Sequence, residues 1–158
     1  MFSLVCTSYR HEQSIPRVHA HRNVPGGKNI SPGFSWIDPP TTARSFALSI
    51  IDPHPVARNW VHWFLVNIPF HARAIAEGSS RTERLPAGSR ELKNSFNELG
   101  YGGPAPPPGS GAHPYVATLY ALNVEALSLA PDTLLSKFLR ELEGKVIAEA
   151  EMRGYHER

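Results

Sequence analysis

The chain has 158 residues, of which 41% are hydrophobic, and a formal net charge of +2. That length fits one domain, residues 1–158, with a real core; its Lys and Arg residues are scattered, which excludes a clustered nucleic-acid surface. Cys6 is the only cysteine, so neither an intramolecular disulfide nor a cysteine-rich zinc motif can form. Met1–Thr7 lacks the basic region of a signal peptide, and no apolar run approaches the roughly 18 residues of a membrane span. A soluble, cytoplasmic protein without stable membrane insertion is expected.

In chain order, Phe2–Ser8 is a short apolar run of undecided type. Ser14–Trp36 holds turn formers (Pro25-Gly26-Gly27, Ser31-Pro32-Gly33) and reads as extended loop with short strands. Ser45–Asp52 and Val61–Pro69 read as strands, separated by Asp52-Pro53-His54-Pro55, because proline lacks an amide donor and stops a strand. Ala74–Pro108 is long and irregular, a length that points to function or disorder. Val116–Leu122 is a third buried strand. Asp132 is the expected cap of a helix over Thr133–Leu142, with Leu134, Leu135, Phe138, Leu139 and Leu142 on one face and Gly144 at its end. Val146, Ala148, Ala150 and Met152 then alternate with other residues, a period of two that argues strand. The result is a mainly β fold with one or two helices.

Three strand mouths carry Asp52, His62 and His113, which is what a small pocket needs: rigid supports with polar groups on their rims. Each residue also has a plainer role. Asp52 before a proline can cap a turn, His62 can be a satisfied core histidine, His113 can open a strand at the surface, and Gly102-Gly103-Pro104 can be a simple turn.

The order and spacing of several segments resemble the phosphatidylethanolamine-binding protein family, in particular its bacterial and archaeal Raf-kinase-inhibitor-like branch. They are Asn29-Ile30-Ser31-Pro32 with Trp36; Ser45-Phe46-Ala47-Leu48 leading to Asp52-Pro53-His54-Pro55; Trp60-Val61-His62-Trp63 with Asn67-Ile68-Pro69; Asn94 with Gly100-Tyr101-Gly102-Gly103-Pro104 and Pro106-Pro107-Pro108-Gly109; His113-Pro114-Tyr115; and Gly154-Tyr155. The resemblance implies a central antiparallel sheet packed on a smaller sheet, a β-sandwich with peripheral helices. It implies an anion pocket formed by Asp52, Trp60, His62, Pro107, His113 and Tyr115, with Gly102 and Gly103 on the rim, for phosphate-like groups such as phosphoethanolamine, a phospholipid headgroup or a phosphorylated ligand. Some members of that family regulate kinases or inhibit proteases, roles that do not transfer on similarity alone because fold and pocket are shared by diverse functions; a kinase or a protease is the candidate protein partner, and a homodimer is plausible for this branch. Two departures stand out: His54 replaces the family's second acid, and Pro114 its arginine between the last His and Tyr. An acid and an arginine lost together are consistent with one compensated change, since either alone and buried is costly.

In such a pocket His62 and His113 are expected to donate to an anion, more strongly when protonated. Asp52 is expected to fix an imidazole tautomer, Gly102, Gly103, Gly109 and Gly111 to aim amides inward, and His54 to modify the site's charge. A soluble binding or regulatory protein with no cofactor, rather than an enzyme, is the expected function. Two rivals stay open. His54, His62 and His113, with His19 and His21 at strand-like spacing, could hold a metal; or an Asp/His pocket could serve a hydrolase, although no serine stands at a spacing that selects a nucleophile.

Overall fold

The computed structural model describes all residues, 1–158. Its strands are β1 (Ser3–Cys6), β2 (Phe34–Ile37), β3 (Ser45–Asp52), β4 (Trp60–Pro69), β5 (Ala74–Ile75), β6 (Arg90–Glu91), β7 (His113–Leu122) and β8 (Val146–His156); one α-helix, α1 (Leu135–Leu142), and a 3-10 turn at Arg17–His19 complete the elements. All sheet pairings are antiparallel. A five-stranded sheet runs β6-β4-β3-β7-β8 and a three-stranded one runs β1-β2-β5. The mainly β sandwich expected from the sequence is the fold.

Strand β3 is central and covered on both faces, which is why it reads as a continuous apolar run rather than an alternating one. Phe46, Leu48 and Ile50 pack with Trp36, Phe34 and Trp63 in the core between the two sheets. Ala47 faces the other way, with Phe64, Leu122 and Phe138 of α1. On β8 the alternation places Ala150 and Met152 in the core beside β7.

Two register shifts interrupt the β3–β4 ladder. Phe46 pairs with Ile68 and Leu48 with Leu65; then Ile50 pairs with Trp63 but Ile51 with Val61. His62 is therefore an extra residue on β4. Without this bulge Val61 and Trp63 would share a face, yet Trp63 lies in the inter-sheet core and Val61 in the one under α1. A bulge re-aims a side chain, and here it turns His62 toward the end of the sheet.

The helix departs from its expected start. Asp132 does not cap it: Thr133 Oγ donates to the Ala130 carbonyl, closing a turn, and Leu134, in extended conformation, precedes the first helical residue, Leu135. Only Phe138 and Leu142 of the expected apolar face are buried, while Leu134 and Leu139 face solvent. Phe138 stacks on Phe64 with ring centroids 4.3 Å apart. Gly144, at φ +75°, follows the helix as expected. Phe138→Ala should cost about 3–5 kcal/mol in urea denaturation, whereas Leu134→Ser should change stability by less than about 0.5 kcal/mol; comparable losses would restore the wider apolar face.

Candidate functional site

Asp52 ends β3 and His113 opens β7, so the two stand side by side where the sheet stops. Asp52 is buried and contains both ends of a clamp. Its Oδ1 accepts the His54 backbone N–H at 2.9 Å, and its Oδ2 accepts Nδ1–H of the fully buried His113 at 2.6 Å. On the other edge of that ring, Nε2 lies 2.8 Å from Ser110 Oγ. The His54 ring lies flat on the His113 ring, 3.8 Å away and 9° from parallel, and its Nδ1 accepts the Val56 amide. His54 thus buttresses His113 without lining the pocket itself.

His62 Nδ1–H donates to the Gly102 carbonyl at 2.6 Å. That bond fixes the tautomer, so Nε2 carries the lone pair and has no protein partner. Burial holds the imidazole pKa down at about 4, below the ordinary 6.5, so His62 is neutral near pH 7. Tyr115, from β7, meets the His62 ring edge to face at 4.9 Å. Its hydroxyl is buried and has no hydrogen-bond partner. Burial, with the nearby Asp52 charge adding to it, pushes the phenol above its ordinary range, so it stays an O–H donor.

These residues enclose a pocket of about 320 Å³ lined by Asn23, Asp52, Val56, Ala57, Trp60, His62, Phe96, Ala105, Pro106, Pro107, His113 and Tyr115. Asp52, Trp60, His62, Pro107, His113 and Tyr115 were all expected from the sequence, and the fold brings them together. Gly102 and Gly103 lie behind the wall. Their amides do not point inward as a nest: Gly102 N–H donates to the His62 carbonyl and Gly103 N–H to Asn29 Oδ1. They are glycines for close approach instead, since a Cβ would lie 2.6 Å from the Phe96 ring at Gly102 and 2.1 Å from the His19 carbonyl at Gly103. The Gly109 amide is also taken, by the Arg158 carbonyl.

Phe96 is the main wall residue that sequence reading missed. Its ring stacks on His21 at 4.2 Å and meets Trp60 and His62 edge to face. Asn94 holds it there: Oδ1 accepts the Phe96 and Glu98 amides, and Nδ2–H donates to the Gly100 carbonyl. The Asn94 in the sequence pattern was the available signal.

The imidazoles do not converge on a metal. His54 and His113 lie parallel, and both nitrogens of His113 are engaged. His19 belongs to a 3-10 turn rather than a strand and donates Nδ1–H to the Ile30 carbonyl, while His21 bonds Glu98. No group of three His, Cys, Asp or Glu side chains is placed to hold an ion.

A two-sheet β-sandwich with one buried Asp–His pair at the mouth of a small pocket defines a class of binding proteins. The chain belongs to the phosphatidylethanolamine-binding protein family, whose model matches residues 7–157. It is 40% identical over 132 residues to the UPF0098 protein of Methanothermobacter thermautotrophicus, covering 84% of this chain and 85% of that one. It is 33% identical over 151 residues to the UPF0098 protein of Aquifex aeolicus, covering 96% of this chain and 85% of the relative. Among solved structures it superposes on Escherichia coli YbcL, described as a new member of the mammalian PEBP family, with a TM-score of 0.93 and 27% identity over 99% of this chain and 98% of the other.

Two predictions follow from the burial of these groups. The unfolded chain protonates His62 near pH 6.5, while the folded chain refuses that proton until about pH 4. Stability contributed by neutral His62 is therefore present above pH 6.5 and lost as pH falls toward 4, by about 3 kcal/mol. Denaturation at pH 7 and pH 4.5 should show less acid sensitivity in His62→Asn than in the parent; equal sensitivity would locate the effect elsewhere. Asp52→Ala strands the His54 amide and His113 Nδ1–H, and should cost on the order of 3 kcal/mol. An unchanged melting temperature would reduce Asp52 to a surface turn residue.

Proposed function

We propose that this chain is a small-ligand binding protein whose pocket takes the phosphate group of a phosphomonoester in its singly protonated form. The observation that carries the reading is the pairing of a free donor with a free acceptor on adjacent rings: the buried Tyr115 hydroxyl without a partner, and the Nε2 lone pair of neutral His62. A P–OH group donates to His62, and a P–O oxygen accepts from Tyr115. No Lys or Arg lines the pocket, so a dianion would lose its hydration without gaining a compensating charge. The expected role of imidazolium donors gives way to a proton carried by the ligand. The ligand in the family description, phosphatidylethanolamine, is a phosphodiester and shares with the proposed ligand the P–O acceptor and the ethanolamine headgroup but not the P–OH, so the monoester preference rests on the Tyr115 and His62 pair alone.

Phosphomonoesters release their second proton near about pH 6. Calorimetric titration with phosphoethanolamine should give affinity in the millimolar to micromolar range, tighter at pH 6 than at pH 8 by up to roughly 50-fold if only the singly protonated form binds. A phosphodiester, which has no P–OH, should bind weakly and without this trend. Equal phosphoethanolamine affinity at both pH values would overturn the reading.

The protein partner proposed with this ligand is a kinase or a protease, or a second copy of the chain. Val56 and Trp60 are the exposed apolar residues at the pocket mouth that such a partner would cover. A cytoplasmic location goes with the same proposal; no helix is long and apolar enough to cross a membrane.

A further inference from the structure

Ser110, His113 and Asp52 form one hydrogen-bonded line. Ser110 Oγ is 2.8 Å from His113 Nε2, and His113 Nδ1 is 2.6 Å from Asp52 Oδ2. We propose that this line is a catalytic triad, with Ser110 as the nucleophile toward carboxylic esters of short acyl chains. The inference stands on this geometry and does not depend on the phosphomonoester reading.

Each part has its chemical role in place. The buried Asp52 carboxylate accepts Nδ1–H and so leaves the His113 lone pair on Nε2, facing the serine hydroxyl. The stacked His54 ring holds the imidazole plane from one side. This is the role sequence of a nucleophile, a base and an orienting acid, recognised by geometry rather than by position in the chain.

The serine is also reachable. It sits half-exposed between Gly109 and Gly111, both with positive φ (+80° and +86°), and nothing lies within 4 Å of where a Cβ would stand on either glycine. The amides of Gly111 and Ala112, the two residues after Ser110, make no backbone or side-chain hydrogen bond within the protein. They are the donors available to a developing oxyanion. Ser110 stands beside the pocket rather than in its lining, but its hydrogen-bond partners Pro107 and His113 both line it, and the apolar walls Val56, Trp60 and Phe96 would suit an acyl chain laid across that rim.

Ser110 Oγ also lies 2.7 Å from the Pro107 carbonyl. The hydroxyl has one proton, so it serves either the carbonyl or Nε2. The competent arrangement is the second, with His113 neutral. In the reaction Ser110 Oγ bonds to the ester carbon while its proton passes to Nε2 and the carbonyl electron pair moves to oxygen. Collapse breaks the bond to the alcohol oxygen, which takes the proton from Nε2. Water then repeats the sequence on the acyl-serine and releases the acid.

The test is incubation of the protein with a fluorophosphonate, followed by intact mass and peptide mapping, together with turnover of p-nitrophenyl butyrate. One adduct on Ser110 is expected, with fluoride displaced, and Ser110→Ala should lose both labelling and at least about 100-fold of turnover. His113→Asn should lose labelling of an intact Ser110. Melting temperatures of both variants separate lost chemistry from lost folding; Ser110→Ala, on a half-exposed turn, should melt within a few degrees of the parent. No adduct on the parent protein, an adduct on another residue, or undiminished turnover in Ser110→Ala would each overturn the assignment and leave Ser110 as a cap on the His113 ring.

Discussion

The carboxylate of Asp52 is the constraint on which the site depends. It is buried at the end of the central strand with no arginine or lysine opposite it, so its two oxygens must be satisfied by hydrogen bonds. One donor comes from the loop that leaves β3 and the other from the first residue of β7. A single side chain therefore fixes the course of the chain after β3 and the orientation of the His113 ring. Because the His54 amide is held by Asp52, the His54 side chain comes to lie on His113. Because His113 Nδ1–H is committed, its other nitrogen faces Ser110.

Much of this was legible in the sequence because it rests on local chemistry. Ser45–Asp52 reads as a strand with an abrupt end, and it is one, since two prolines remove the donors that would extend it. The strand from Val146 was legible from its period of two. The bulge at His62 was not: no glycine or proline marks it, and it exists because Val61 and Trp63 must serve different cores. The helix start was misread because Asp132 offers a capping side chain, but the turn closed by Thr133 occupies that place. Phe96 was invisible as a wall residue because its position is set by bonds from Asn94 inside a segment without periodicity. Ser110 was passed over because its partner is three residues away, across a glycine turn rather than in a recognised spacing.

The two departures from the family pattern have physical settings. His54 replaces an acid with a ring that can stack on His113, placing no second carboxylate beside Asp52. Pro114 lies beyond Val116, the last residue of β7 paired with β3, so its missing amide costs nothing to that ladder. With neither the acid nor the arginine present, two stacked imidazoles stand at the mouth of the pocket.

The proline-rich wall is fastened to parts of the chain far away in sequence. The Tyr101 hydroxyl donates to the His19 carbonyl, Asn29 bonds both Tyr101 and Gly103, the His21 amide donates to Pro104, and Gly109 is tied to Arg158 beyond β8. Such distant closures form slowly, because loop entropy must be overcome before any contact returns free energy. The pocket wall is thus held by segments distant in sequence rather than by its own neighbours. A change at Asn29 or Tyr101 would therefore be felt inside the pocket although neither residue lines it, which makes the shape of the pocket a property of the whole domain and not of its rim.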